Sequence, residues 1–178
     1  DMSVRKTFGN ITGHISYSML WNERRFENKN NGQKFPSAYD NRHKANIVAN
    51  WRINDRWEIN AGWTIMSGNR ITLPTKSYNP LPGTNEIIGS RKDETIDYIT
   101  SINNYRLPAY HRLDIGANLH IKGANGKEGV WNFSLYNAYC NMNVIAIRKQ
   151  QYAPGKGAVY EKLRMIPLIP SVSYTLKF

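Results

Sequence analysis

A single cysteine, Cys140, in 178 residues leaves no partner for an internal disulfide and no Cys-rich metal site. Long apolar runs are missing as well. Nowhere do about 18 apolar residues follow one another, so no transmembrane helix is expected. The opening DMSVRKTFGN has no basic stretch leading into an apolar one, and no signal peptide is read in it. Neither metal-ligand spacing nor a Gly-rich phosphate loop occurs, and no cofactor is expected. Acidic residues are scarce, 13 against 24 Lys and Arg, which leaves a net charge of +11. These absences exclude a helical membrane protein and a disulfide scaffold, and they leave a membrane barrel open.

What is present is alternation with period two, the mark of strands whose two faces differ chemically. In NITGHISYSMLWN, Ile11, Gly13, Ile15, Tyr17, Met19 and Trp21 alternate with Thr12, His14, Ser16, Ser18, Leu20 and Asn22. KANIVANWRI sets Ala45, Ile47, Ala49, Trp51 and Ile53 against Lys44, Asn46, Asn50 and Arg52, with Val48 an apolar member of the second set. WEINAGWTIM, RLDIGANLHIK and VWNFSLYNAY repeat the pattern, and IPLIPSVSYTLKF supplies a sixth strand. Each run lasts about ten residues, the length a tilted strand needs to cross a bilayer. Strands of a soluble sandwich are typically ~5–6 residues long.

The connections alternate too. Short turns at Asn54 to Arg56 and Gly123 to Gly129 separate long loops at about 24–41, 67–110 and 141–160. Outer-membrane barrels join strands by short periplasmic turns and long extracellular loops. Trp51, Trp57, Trp131 and Phe178 fall near the expected periplasmic ends, Trp21 and Tyr139 near the extracellular ends. Such rings form the interfacial girdles of a membrane barrel. The expected fold is therefore all-β, with about six antiparallel transmembrane strands.

Several stretches carry a family resemblance. FPSAYDNRHKANIVANWRINDRWEINAGWTIMSGNRITLP, NNYRLPAYHRLDIGANLHI, NFSLYNAYCNMN and MIPLIPSVSYTLKF, in this order and spacing, resemble the C-terminal barrel region of TonB-dependent outer-membrane receptors. The likeness is to the branch with a carboxypeptidase-like regulatory domain ahead of the plug, and it runs from about residue 8 to the end. YNAYCNMN departs from it, since many relatives carry a basic residue and an Asn-Pro pair there, which affects the turn after Tyr139. Receptors of this kind close 22 strands around a plug. The resemblance thus implies that residues 1–178 are one segment of the barrel domain, with the plug, the TonB-engaging motif and the remaining strands outside it. It implies residence in the cell outer membrane and import of a scarce ligand: siderophore-iron, haem, a cofactor, an oligosaccharide or a peptide. Its implied partners are the plug and remaining barrel, the TonB complex, outer-membrane lipid and lipopolysaccharide, and in some cases a surface lipoprotein. A passive porin or surface adhesin on the same barrel is the alternative. The row Tyr174, Leu176, Phe178 resembles the signal presented to the barrel-assembly machinery.

Within that frame Arg42, Lys44, Arg112 and Asp114 are expected on the lumen face near its extracellular mouth, where such side chains hold the plug. Ligand contacts are expected from the longest loop, at Tyr78, Arg91, Tyr98, Asn104, Tyr105 and Arg106. Basic loop residues, among them Arg24, Arg25, Lys29, Lys34, Arg148 and Lys156, would draw anionic ligands or lipopolysaccharide phosphates. Most aromatics have the parity of the apolar face, away from the basic residues, so nucleic-acid binding is not expected. No enzyme is expected either. His14, His43, His111 and His120 are the available bases, and Asp114, three residues after His111, has the opposite strand parity.

Overall fold

The computed structural model describes residues 1–78, 96–123, 128–150 and 159–177. Among them there is no α-helix, and the strands are antiparallel throughout. One sheet dominates. Its strands are β1 (Met2–Lys6), β2 (Ile11–Met19), β5 (His43–Arg52), β6 (Trp57–Met66), β11 (Tyr110–Lys122), β12 (Glu128–Tyr136) and β15 (Ile169–Lys177). They lie side by side in chain order, an up-and-down meander with β1 and β15 at its edges. No pairing among the described residues closes the sheet on itself.

The sheet has seven strands where six are expected; β1 is the addition. Met2 and Val4 alternate with Ser3 and Arg5, too short a run to stand out, and pairing with β2 secures it. WEINAGWTIM forms β6 over the expected span. The expected strand 130–139 ends earlier, at Tyr136, because Asn137 and Cys140 take left-handed backbone conformations (φ 55° and 57°) that stop a strand. At its other end β12 begins earlier than expected, since Glu128 and Gly129 already belong to it.

Two-residue periodicity becomes two chemically distinct faces because the register aligns it from strand to strand. Ile11, Trp51, Ile59, Ala117, Phe133 and Val172 form one transverse row. On the opposite face Thr12, Asn50, Asn60, Gly116, Ser134 and Ser171 form another. A slip of one residue in any strand would break both rows at once.

The apolar face is the exposed one. Ile15 is 53% exposed and Val172 60%, and Ile47, Trp51, Ile115, Phe133 and Leu135 are also exposed. The buried apolar side chains among the described residues are Phe35 and Leu107, both in long loops. Each large aliphatic or aromatic side chain left in water forgoes about 1.5–3 kcal/mol of burial. Net stabilities are only ~5–15 kcal/mol, so such a face needs an apolar cover beyond the sheet itself. The polar face curls inward. Thr12, Asn50, Glu58, His120 and Glu128, drawn from β2, β5, β6, β11 and β12, line one cavity of about 560 Å³.

The connections differ at the two ends. β1 joins β2, and β5 joins β6, through four-residue turns, Thr7 to Asn10 and Ile53 to Arg56. In the second, the Asn54 carboxamide oxygen accepts from the Arg56 and Trp57 amides, closing the turn. At the other end the long loops form ribbons of their own. β3 (Glu23–Arg24) pairs with β4 (Phe35–Pro36), and β7 (Arg70–Ile71) with β10 (Tyr105–Arg106). β8 (Lys76–Tyr78) pairs with β9 (Ile96–Tyr98), and β13 (Val144–Gln150) with β14 (Val159–Arg164).

Candidate functional site

The long-loop end gathers most of the buried polar chemistry. Ser37, Asp40, Asn137 and Asn143 are buried there, none of them in a strand of the main sheet. Asp40 is the hub between the first two long loops. Its carboxylate accepts from the Asn22 amide at 3.2 Å and from Arg106 Nη2 at 2.7 Å. Arg70 Nε stands 3.4 Å away and Arg42 Nε 3.5 Å. Arg106 Nη1 also donates to the Asp40 carbonyl at 2.6 Å and to that of Gly68 at 3.2 Å. Burial raises the Asp40 pKa, but the Asn22 amide and the charges of Arg106 and Arg42 outweigh it, so the carboxyl stays below its ordinary range.

Asparagines stitch the same loops. Asn41 donates to the Ser67 carbonyl and to Asn69 Oδ1, and Asn103 donates to the Pro36 carbonyl. Gly68 is required by this closeness, because a Cβ there would lie 2.0 Å from the Leu107 carbonyl oxygen.

A second cluster ties the third long loop to β11. Arg112 binds Asp114 through Nε (2.9 Å) and Nη2 (2.8 Å), and its Nη1 donates to the hydroxyls of Tyr110 and Tyr136. The Tyr136 ring lies 4.2 Å from the guanidinium carbon. Asp114 Oδ1 in turn accepts from the Asn137 amide, and Asn137 donates to the carbonyls of Asn141 and Pro167. His111 points elsewhere: its Nδ1 meets the Tyr139 hydroxyl at 2.8 Å, and Trp63 Nε1 lies 3.3 Å from that hydroxyl. The His111 and Asp114 side chains thus do not bond each other and are linked only indirectly, through Asn141 and Asn137.

The expected ligand residues divide between two ribbons. Tyr78 and Tyr98 lie on β8 and β9, both more than half exposed. Asn104 is bonded to both the amide and the carbonyl of Leu73, Tyr105 is in β10, and Arg106 clamps Asp40. Arg91 and Phe178 lie outside the described residues. Asp97 on β9 accepts from Lys149 on β13 at 2.5 Å and from Ser77 at 2.6 Å, linking the second loop to the third. Burial raises the Asp97 pKa, and these two donors bring it below its usual value.

Of the expected lumen residues, Arg42 joins the Asp40 cluster. Lys44 lies in the polar-face row Ser18, Lys44, Met66, Tyr110. Arg112 and Asp114 bind each other. On the apolar face, Tyr174 packs on Trp131 with ring centroids 4.8 Å apart and covers Gly129, where a Cβ would meet its hydroxyl at 2.5 Å. Leu176 is paired with Gly129.

Asp40 is the residue that sequence reasoning missed. A lone carboxylate beside Arg42, in a chain with so few acids, is the signal that could have found it. No family model matches the chain, and no curated protein or solved structure matches it either.

Proposed function

We propose that this chain is part of the barrel of a TonB-dependent outer-membrane receptor, which imports a scarce ligand when energised through TonB. The observation that carries the reading is the inverted sheet, with apolar rows exposed and polar rows curled inward. A bilayer is an apolar cover that extends along a whole sheet, and a barrel wall in lipid presents this arrangement. Aromatic placement supports it: Trp51, Trp57, Trp131 and Tyr174 lie toward the short-turn end of the apolar face, and Tyr17, Trp63 and Tyr139 toward the loop end. Open edges do not persist in hydrocarbon, so β1 and β15 are completed by further strands of the same receptor.

In this reading the long loops face outward and the clusters around Asp40 and Arg112 stand at the lumen mouth. They hold the loops in place over the polar face, where plug and ligand are met. Barrel strands and loops bind and admit; energy arrives through the plug and TonB, outside this chain.

The test is topology, then energy dependence. With Cys140 replaced, Lys29→Cys in the receptor is labelled on intact cells by an impermeant thiol reagent. Asp55→Cys is labelled only after the outer membrane is opened. Labelling of Asp55→Cys on intact cells overturns the orientation. Uptake that survives loss of TonB overturns energised import in favour of a passive pore.

A further inference from the structure

The cluster at Asp40 is not electrically closed. One carboxylate oxygen is approached by three guanidinium groups, at 2.7 Å from Arg106, 3.4 Å from Arg70 and 3.5 Å from Arg42. Arg106 and Arg70 hydrogen-bond to that oxygen and also reach backbone carbonyls. Arg42 does not. Its Nε is buried and makes no hydrogen bond, meeting that oxygen only as an ion pair. The remainder of the side chain is reachable, 38% exposed, with the guanidinium carbon 5.8 Å from the Trp21 ring. Lys44, the next polar-face residue along β5, adds a further positive charge with no acidic partner among the described residues.

Three guanidiniums around one carboxylate leave the cluster with excess positive charge, and such partly desolvated charge is costly unless a further anion meets it. The planar fork of Arg42 fits a carboxylate or a phosphate with two parallel hydrogen bonds, and the Trp21 face holds the plane in place. We propose that Arg42, backed by Arg70 and Arg106, is an anion-binding site at the junction of the first two long loops, occupied by a carboxylate or phosphate group of the ligand. This deepens the receptor reading and rests on it only in treating the bound anion as cargo. Excess positive charge of this kind concentrates anions around the partly exposed Arg42 side chain.

The test uses the receptor containing this chain, purified in detergent, with heat-modifiable gel mobility reporting the unfolding midpoint. Phosphate is titrated in one arm and citrate in another, with chloride holding ionic strength constant. The midpoint of the parent rises saturably in at least one arm, and the arm that saturates at lower concentration identifies the preferred group. Arg42→Gln weakens half-saturation about tenfold or more, as loss of a charge-assisted pair does. Arg42→Lys keeps the charge without the fork and falls between, and Arg56→Gln, in the short turn at the other end of the sheet, leaves the curve in place. A parent midpoint that does not respond, or responds equally in all variants, overturns the proposal even where Arg42→Gln fails to assemble. Destabilisation by Arg42→Gln that no anion alters also overturns it, because an acidic segment of the receptor then fills the site. Failure of the receptor reading would show separately, in the cysteine labelling.

Discussion

Along β5 the apolar side chains Ile47 and Trp51 are exposed, whereas in the loop just before it Ser37 and Asp40 are 1% exposed. The sheet and its loops thus solve different solvation problems. The sheet satisfies its backbone internally, strand to strand, and turns its apolar side chains outward. The loops have few ladders to draw on and must satisfy buried backbone groups with side chains, so Asn41, Asn103, Asn137 and Arg106 all donate to main-chain carbonyls. The sheet is therefore sensitive to the medium around it. The loops depend on charge and hydrogen-bond completeness.

The largest expected effect lies on the loop side of this contrast. Asp40→Asn leaves three guanidiniums facing one another without a counter-charge, and breaking such a buried pair costs about 3–5 kcal/mol. The partial exposure of the arginines places the loss toward the lower end. Thermal unfolding of the receptor measures it, and a loss below about 1 kcal/mol would show that the cluster is only a surface arrangement. The pH dependence has a definite sign. Because the folded-state pKa of Asp40 is depressed, its contribution is present above the unfolded value near 3.8 and is lost as pH falls through the folded value. Asp40→Asn should remove that acid limb.

Next comes the sheet's own test. In the membrane, Ile115→Arg or Ile47→Arg places a charge on the apolar face and should cost ~2–4 kcal/mol near the bilayer midplane. Asn46→Arg, one residue from Ile47 on the polar face, should be milder. Assembled receptor in outer-membrane fractions is the readout, and equal losses from the two faces would abolish the distinction between them.

A smaller effect separates register from solvation. Gly13→Ala brings a Cβ to 2.2 Å from the Val48 carbonyl oxygen, so β2 and β5 must shift apart. Overpacking of this kind costs about 1–3 kcal/mol. Gly62→Ala meets nothing within 4 Å and should change the unfolding midpoint little.

The smallest is the tie between the second and third loops. Asp97→Asn should lower stability by no more than ~1 kcal/mol, since both partners are about one-third exposed. High salt should erase the difference between variant and parent. A larger loss would make the two ribbons one structural unit with the Asp40 cluster.

Strand positions and faces were legible in the sequence because side-chain direction in an extended chain is a local property: residues i and i+2 share a face whatever else the chain does. Ile47, Ala49 and Trp51 needed only their own segment, as did the six residues of the apolar row once each strand was placed. The short turn at Asn54 was legible for the same reason, since its hydrogen bonds span three residues or fewer. β1 was not, because five residues with modest alternation become a strand only through the ladder that β2 offers. Nor was the end of β12, where Asn137 leaves the ladder to bond Asp114, 23 residues earlier. The loop cluster lay furthest from reach. Asp40 meets Arg70 and Arg106 from 30 and 66 residues away, and no periodicity encodes such a meeting. Which of the many basic residues would surround the buried Asp40 carboxylate, and which would be left over, was decided by how two loops fold across the end of the sheet. Pairing energies between distant charges depend on distance and desolvation, which only the tertiary structure sets.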